Sequence, residues 1–464
     1  MRNQILYILK YASLYSYSET IINELINKNY KVDICIMKEN ISGSTKYEII
    51  ENENCKALVA KDLENNKEQI LIKESKYIKI KKGVNRKDIW IKPLILIRET
   101  LNLLSYIKRN DKGTFFEAQK KYTPKITRFL LTFPIISFIF SKLLVFEFFL
   151  KVLDKIIPKS KHIVDFIKLQ ECSIVIVVGA NWASNYNNFS SEIEYIKAGK
   201  KLNLKTVMQV VSWDNLTARG LYHSKPDLFL VWNKQHALEA KKIHKIPPKN
   251  IFITGSPFMD KWFDKKSKNI TLDEKLNRGN PIVTYLGSSK NITRDETMVV
   301  EKLYKELKKE KIKLIVRPHG SNYKQFEKLN PEIKVIPKNG DLPDTDTSKE
   351  LMISTIKNSI ATVGINTTAM VDSLILGTKC FAITKPEFYK NQLATYHFKT
   401  ILNYNLLDIV ESENECVKKI INSKKDDDFM EKREKFIIDF CRPLGINIEA
   451  GKISAKKIIE VNNS

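Results

Sequence analysis

Residues 281–289 read Pro281-Ile282-Val283-Thr284-Tyr285-Leu286-Gly287-Ser288-Ser289. An apolar run this short, bounded by turn residues, is the pattern of a fully buried strand. It comes directly after the polar, lysine-rich stretch 264–280, whose end is punctuated by Gly279-Asn280-Pro281 and reads as a linker. A separate α/β unit therefore begins at 281. It continues with a helix over Glu296–Glu310, strands over Lys313–Val316 and Ile333–Ile336, and a helix near Lys349–Lys357. The strand Ser359–Gly364, the helix Thr368–Leu376 and the strand Lys379–Ile383 follow, and amphipathic segments Glu413–Asn422 and Phe429–Phe440 come last.

The same rhythm precedes the linker. Ile5–Leu9 is a buried-type strand, Ser18-Glu19 opens a helix through Leu25, and Lys31–Ile36 is a second strand. Gln69–Lys81 partly alternates and is read as a further strand, while Ile89 to about Lys168 is helical throughout. Strands return at Cys172–Gly179, Lys205–Val211, Asp227–Trp232 and Ile251–Gly255, with helices over Ser191–Gly199 and Lys234–His244. Strand–helix–strand units with short connections form parallel, doubly wound sheets. The expected organisation is an α/β domain over 1–263 with a helical insertion at about 89–168, a linker over 264–280, a second α/β domain over 281–440, and a tail or helix over 441–464. Two such domains face a cleft, and the site belongs at the carboxyl ends of their strands.

Bulk composition narrows the class. A chain of 464 residues exceeds one ordinary core, and 43% apolar with 10% aromatic residues excludes global disorder. Lys and Arg outnumber Asp and Glu by 78 to 53, a formal net charge of +25. That excess fits an anionic partner, and it fits equally an AT-rich coding bias toward lysine. Cys35, Cys55, Cys172, Cys380, Cys416 and Cys441 form no C-x-x-C pair, which argues against a zinc site or a disulfide framework and fits a reducing cytoplasm. Met1–Lys10 opens on a strand-like run, not on a signal peptide. Phe129–Leu150 comes nearest to a spanning helix but is interrupted by Pro134, Lys142 and Glu147. It reads either as a core helix or as a monotopic insertion flanked by Lys121, Lys125, Arg128, Lys142, Lys151 and Lys155, so an anionic membrane surface is an expected partner of 121–155. The chain has no basic-aromatic motif of recognised type, and nucleic acid is not an expected partner.

The chemistry concentrates at strand ends. After Val363-Gly364, the residues Ile365-Asn366-Thr367-Thr368 open a helix whose unpaired N–H groups and positive dipole end suit a phosphate. Asp372, one turn on, can reach a ribose hydroxyl. The plain alternative is an ordinary helix capped by Asn366 or Thr367. Val316-Arg317-Pro318-His319-Gly320 follows a second strand: Arg317 offers a fork of donors for a diphosphate, and His319 a donor or a proton shuttle. Gly287-Ser288-Ser289 follows a third, and Ile336 ends a fourth. Three phosphate-compatible strand ends in one domain exceed what capping explains.

In the first domain, Ser212-Trp213-Asp214-Asn215-Leu216-Thr217-Ala218-Arg219-Gly220 follows a strand. Asp214 is the candidate general base or acceptor-orienting group, with Trp213, Asn215 and Thr217 on the acceptor side. The alternative is that Trp213 plugs the interface and Asp214 makes an Asx-turn. Tyr15 and Ser18, in the loop after the first strand, are assigned to the acceptor side as well.

Several of these segments carry a resemblance. Ser212 to Thr217, Trp232-Asn233, Thr254-Gly255-Ser256-Pro257 with Asp260, Arg317-Pro318-His319, Gly364 to Thr368, and Tyr396-His397-Phe398 are similar, in order along nearly the whole chain, to motifs of a bacterial GT-B glycosyltransferase-like family of surface-carbohydrate biosynthesis. More distantly the chain resembles CDP-glycerol glycerophosphotransferases and UDP-N-acetylglucosamine 2-epimerases. The resemblance implies two Rossmann-like domains of GT-B type, a nucleotide-sugar donor bound by the second, and a glycan or lipid-linked acceptor bound by the first. It implies transfer of a sugar in the cytoplasm or on the inner face of the cell membrane, with glycerophosphate transfer, epimerisation and polyanion binding as alternatives in that order. Two departures stand out: His319 is followed by Gly320 where relatives often have Pro, and Asp372 stands where Glu is commoner. No cofactor is expected beyond the donor. Asp344-Thr345-Asp346 lies in a polar loop away from a strand end, so no metal is expected either.

Overall fold

The computed structural model describes residues 3–52, 55–64, 66–111, 113–133, 144–185, 188–263, 280–343, 345–423 and 427–464. The linker expected at 264–280 (Asn280 excepted), Asp344 and the centre of the apolar segment 129–150 lie outside them.

The strands before the helical insertion are β1 (Gln4–Leu9), β2 (Lys31–Ile36), β3 (Asn40–Ser42), β4 (Thr45–Asn52), β5 (Cys55–Asp62), β6 (Lys67–Lys73) and β7 (Ile78–Lys82). After it come β8 (Ile174–Val178), β9 (Lys205–Gln209), β10 (Leu228–Val231) and β11 (Ile251–Ile253). Seven of them form a parallel sheet in the order β11-β10-β9-β8-β1-β2-β7. β8 reads Ile-Val-Ile-Val-Val and is buried at every position, as a strand covered by helices on both faces must be. Strand order reverses between β1 and β8, which leaves a crevice above their carboxyl ends.

The remaining four strands, β3 to β6, form an antiparallel sheet that the sequence reading did not anticipate beyond a strand near Gln69. β4 and β6 carry Lys and Glu among their apolar residues, so no buried run announces them.

Among its described residues the insertion forms the helices Ile91–Lys108, Thr114–Tyr122, Lys125–Thr132, Leu144–Ile156 and Lys161–Leu169. A buried ion network ties it to the main sheet. Arg98 bonds Asp154 at 2.8 Å and also Glu194, while Arg86 reaches Glu194 and Lys197 reaches Asp154, both at 2.6 Å. Desolvating each charge costs several kcal/mol, about as much as pairing recovers, so the network fixes position more than it adds stability.

The second parallel sheet contains β12 (Ile282–Leu286), β13 (Lys313–Arg317), β14 (Lys334–Val335), β15 (Ala361–Gly364), β16 (Cys380–Ile383) and β17 (Leu407–Val410). Its order is β14-β13-β12-β15-β16-β17, with the reversal between β12 and β15. The fold is thus two Rossmann-like doubly wound units of GT-B type.

The chain then returns to the first sheet. Ser256 N–H donates to Cys441 O at 3.0 Å. Gly255, at φ +91°, allows that approach, because a Cβ there would stand 2.5 Å from the same carbonyl. Asp260 caps the last helix, Ala450–Asn463, accepting from the N–H groups of Ala450 and Gly451 at 3.0 and 2.8 Å and pairing with Arg442 at 2.8 Å. Ala455 and Ile458 of that helix complete the core around Ile5, Ile21 and Leu25.

Candidate functional site

The two strands flanking the second sheet's reversal end in Gly287-Ser288 and Gly364, and a hydrogen bond joins their loops. Asn366 N–H donates to Ser288 Oγ at 3.3 Å, and Ser288 N–H donates to the Glu296 carboxylate at 3.0 Å. Ser288 is fully buried, so its hydroxyl organises the loop and is not presented to a ligand; Ser289 is only half-buried. Burial pushes the Glu296 carboxyl up to about 7, against the Ser288 donor that pulls it down. Asn366 spends its amide on Asn391 O at 2.7 Å. Thr367 occupies the N-cap of the helix Thr368–Leu376 but makes no side-chain capping bond. Neither Asn366 nor Thr367 therefore plays the capping role that would explain this turn away, and the helix keeps donors for an anion.

Arg317 ends β13 and is buried, with its guanidinium turned to Asp341 in an ion pair. Among the described residues, Nη1 has no partner. Burial lifts the Asp341 carboxyl to about 6, while Arg317 pulls it down. His319 Nδ1 accepts from the Ser321 N–H at 3.1 Å, so the neutral ring carries its proton on Nε2. Desolvation lowers His319 to about 4, which keeps it neutral at pH 7. It is then a hydrogen-bond donor, and the proton-shuttle role is not favoured.

Gly320 has a local cause. A Cβ there would stand 2.7 Å from the backbone of Gly43, in the β3–β4 turn, whose neighbour Ser44 donates its N–H to Gly340 O at 2.8 Å. The unanticipated antiparallel sheet thus presses on the loops after β13 and β14. Glu64 Oε1 accepts from Asn339 N–H at 2.6 Å, and Gln69 Oε1 from Asp346 N–H at 2.8 Å. Ile336 packs with Ile282 and Ile315 in a small apolar cluster. Asp372 is buried against Trp262, whose indole N–H donates to Oδ1 at 2.9 Å. Burial raises its carboxyl to about 7, with Lys261 and Arg317 opposing. This contact to the first half occupies the oxygen assigned to a ribose.

From the first sheet, Trp213 reaches across: its indole N–H donates to Thr368 Oγ1 at 3.1 Å, and its ring meets His397 edge-on at 4.6 Å. Asp214, next to it, is half-buried, and one carboxylate oxygen accepts from the Ser212 hydroxyl at 2.5 Å. The structure brings Trp213, Asp214 and Thr368 together. Other acceptor-side residues are spent internally. Asn215 is fully buried and bonds Asn181 at 2.8 Å, Val211 N–H at 3.1 Å and the Tyr222 hydroxyl at 3.2 Å. The Thr217 hydroxyl donates to Asp214 O at 3.2 Å, Ser18 to Gln209 at 3.0 Å, and Tyr15 is packed in the core.

Three residues to which the sequence reading gave no separate role gather above the first sheet's reversal, Lys10 and Arg219 in loops it placed at the site and Trp182 outside them. Lys10 follows β1, Trp182 follows β8, and Arg219 closes the Trp213 loop. The Arg219 guanidinium stacks 3.7 Å from the Trp182 ring, its Nε without a partner, and Lys10 lies 5.5 Å from the same ring while pairing with Glu192 at 3.1 Å. Gly179 and Ala180, at φ +84° and +73°, turn the chain here, and left-handed backbone at an alanine is strain of about 1–2 kcal/mol of the kind held at ligand sites. The one legible signal was the Gly-Ala-Asn-Trp following a buried strand. Among the described residues, no three His, Cys, Asp or Glu are grouped to hold a metal ion.

No protein-family model matches the chain, and no curated protein does. Solved structures share its fold. The chain superposes on S. aureus MnaA bound to UDP with a TM-score of 0.51 at 10% identity, covering 99% of this chain and 95% of that one. It superposes on the Methanocaldococcus jannaschii UDP-GlcNAc 2-epimerase in complex with UDP-GlcNAc and UDP with a TM-score of 0.50 at 12% identity, covering 98% and 99%. A weaker likeness, TM-score 0.47 at 12% identity over 100% and 88%, is to the wall teichoic acid polymerase TagF. Identities this low show a common fold and no more.

Proposed function

We propose that this protein transfers a sugar from a nucleotide-activated donor to a cell-surface polysaccharide or glycolipid intermediate. The observation that carries the reading is the meeting of Trp213-Asp214, from the first sheet, with the uncapped helix start at Thr367-Thr368, beside the second sheet's reversal. Donor phosphates would sit on that helix start, with His319 Nε2–H and the unpartnered Nη1 of Arg317 as further donors. The acceptor hydroxyl would lose its proton to Asp214 as its oxygen bonds the anomeric carbon. The bond from that carbon to the phosphate oxygen breaks, and the nucleotide leaves with its electron pair. Lys10, Trp182 and Arg219 line the acceptor side. No metal takes part in this scheme, since fixed donors neutralise the leaving group; undiminished turnover in EDTA is its test.

Two solved structures of this fold hold UDP, one of them a UDP-GlcNAc 2-epimerase, which supports a uridine nucleotide and moves epimerisation ahead of glycerophosphate transfer as the second reading. A thermal-shift screen with UDP, GDP, CMP, CDP and ADP tests the pocket, because a bound nucleotide raises the melting point. No shift with any of them would sink the donor site. Sugar and glycerophosphate transfer are then separated from epimerisation by offering UDP-sugars and CDP-glycerol with and without acceptor. Nucleotide release that depends on acceptor supports transfer.

A further inference from the structure

The helical insertion carries a face that the cleft does not use. Helices Lys125–Thr132 and Leu144–Ile156 both pack on Ile91–Lys108 and bury Leu131 and Leu150 in the cluster beneath. Their outward faces are apolar too. Ile126 is 78% exposed, Phe129 66%, Val145 74%, Phe148 68% and Ile156 66%. Single exposed hydrophobes are ordinary, but aromatic and aliphatic side chains clustered on adjacent helices mark an interaction surface.

Charge identifies the occupant. Lys120 pairs with Glu117 and Lys151 with Glu147. Lys121, Lys125, Arg128 and Lys155 pair with no carboxylate among the described residues. Lys120, Lys121, Lys125, Arg128 and Phe129 line a hollow of about 390 Å³ beside the apolar face. No helix among the described residues is long and apolar enough to cross a membrane. A second copy related by a two-fold axis would set these unpaired cations against themselves. We propose that this face docks on an anionic lipid bilayer, with Phe129, Phe148 and Ile156 entering the headgroup boundary and Lys121, Lys125 and Arg128 meeting lipid phosphates.

The docking face and the cleft share one element. Lys120 and Lys121 sit toward the end of the helix Thr114–Tyr122, and at its start Phe115 stands edge-on to His397 at 5.5 Å. Nine residues of helix span about 13 Å. A surface-bound enzyme would thus meet an acceptor carried in the lipid, a consequence that rests on the proposed transfer, whereas the docking itself does not.

The full chain is sedimented with vesicles of phosphatidylcholine alone and of phosphatidylcholine with one third phosphatidylglycerol. Binding is expected to the second only. It should fall by about tenfold or more in Phe129→Ser/Phe148→Ser and in Lys121→Glu/Arg128→Glu, because apolar burial and charge act together. Equal sedimentation of the variants and the parent would overturn the proposal. So would an absence of binding alongside a dimer in sedimentation velocity that Phe148→Ser dissociates. Phe129, Phe148 and Lys121 are exposed and Arg128 is half-buried, all away from the cleft, and the nucleotide thermal shift of each variant should match the parent; loss of that shift in the parent itself would fail the donor site and leave the docking result standing.

Discussion

The indole N–H of Trp213 donates to Thr368 Oγ1 at 3.1 Å, so a loop that ends a strand of the first sheet is bonded to the opening residue of a helix in the second. Trp213→Phe keeps a ring near His397, deletes the donor and removes part of a buried side chain. One neutral hydrogen bond contributes about 1 kcal/mol, so the Trp213–Thr368 contact should weaken about fivefold or more. Nucleotide affinity by calorimetry is expected to drop by at least that factor, with a lower melting point from the lost burial. Unaltered affinity would separate this bond from donor binding.

Arg317 has two roles that substitution can separate. Arg317→Ala leaves Asp341 buried alone, and breaking such a pair costs about 3–5 kcal/mol, reduced here because the carboxyl can take up a proton. Arg317→Met with Asp341→Leu removes both charges and should recover most of the lost melting temperature. If Arg317 also holds donor phosphate, the double variant is stable and still fails to respond to nucleotide.

Glu296 gives a pH signature. Its carboxyl is lifted from 4.5 to about 7 in the folded protein, as is that of Glu239, and Asp372 rises from 3.8 to about 7. A raised carboxyl contributes stability that is complete below its unfolded value and lost as pH climbs through the folded one. The buried His236 and the half-buried His319, lowered from 6.5 to about 4, act the opposite way, but their contribution is complete above 6.5 and lost only as pH falls toward 4. From pH 6.5 to about 7.5 the carboxyls dominate the slope, because the buried Lys197 and the half-buried Lys225, lowered to about 8, oppose them only as pH approaches 8. Melting temperature should fall between pH 6.5 and about pH 7.5, and Glu296→Gln, which keeps an acceptor for Ser288, should flatten that fall. A parallel slope in the variant would refute the assignment.

Asp214 should matter for rate and not for stability. Its carboxylate is half-buried and, among the described residues, bonded only to the Ser212 hydroxyl, so Asp214→Asn is expected to leave the stability within about 0.5 kcal/mol of the parent. Turnover should drop by about 10²- to 10⁴-fold, the usual contribution of a general base. His319→Gln, which retains a donor, should keep more activity than His319→Ala across the same pH range.

The second sheet was legible because its strands are short apolar runs with turn residues at each end, and their order placed Gly287, Arg317 and Gly364 side by side. β3 to β6 were not, since small antiparallel strands with charged outer positions look like polar loop. Loop polarity also misled. Asn215 and Ser18 look available in the sequence, yet burial and hydrogen bonds from distant segments consume them. Lys10, Trp182 and Arg219 illustrate the converse: three unremarkable residues from separate segments become a cluster only when β8 inserts beside β1. His319-Gly320 looked like a departure from a motif, and its reason lies in Gly43, far away in sequence.

The helix Ala450–Asn463 supplies Ala455 and Ile458 to the core around β1. During synthesis β1 emerges long before the helix that covers it. At about 5–20 residues per second the gap is tens of seconds, in which a groove lined by Ile21 and Leu25 stands open on the ribosome. Packing of the first sheet therefore waits for a helix made after the whole of the second sheet, and a substitution at Ala455 or Ile458 acts on the opening strands.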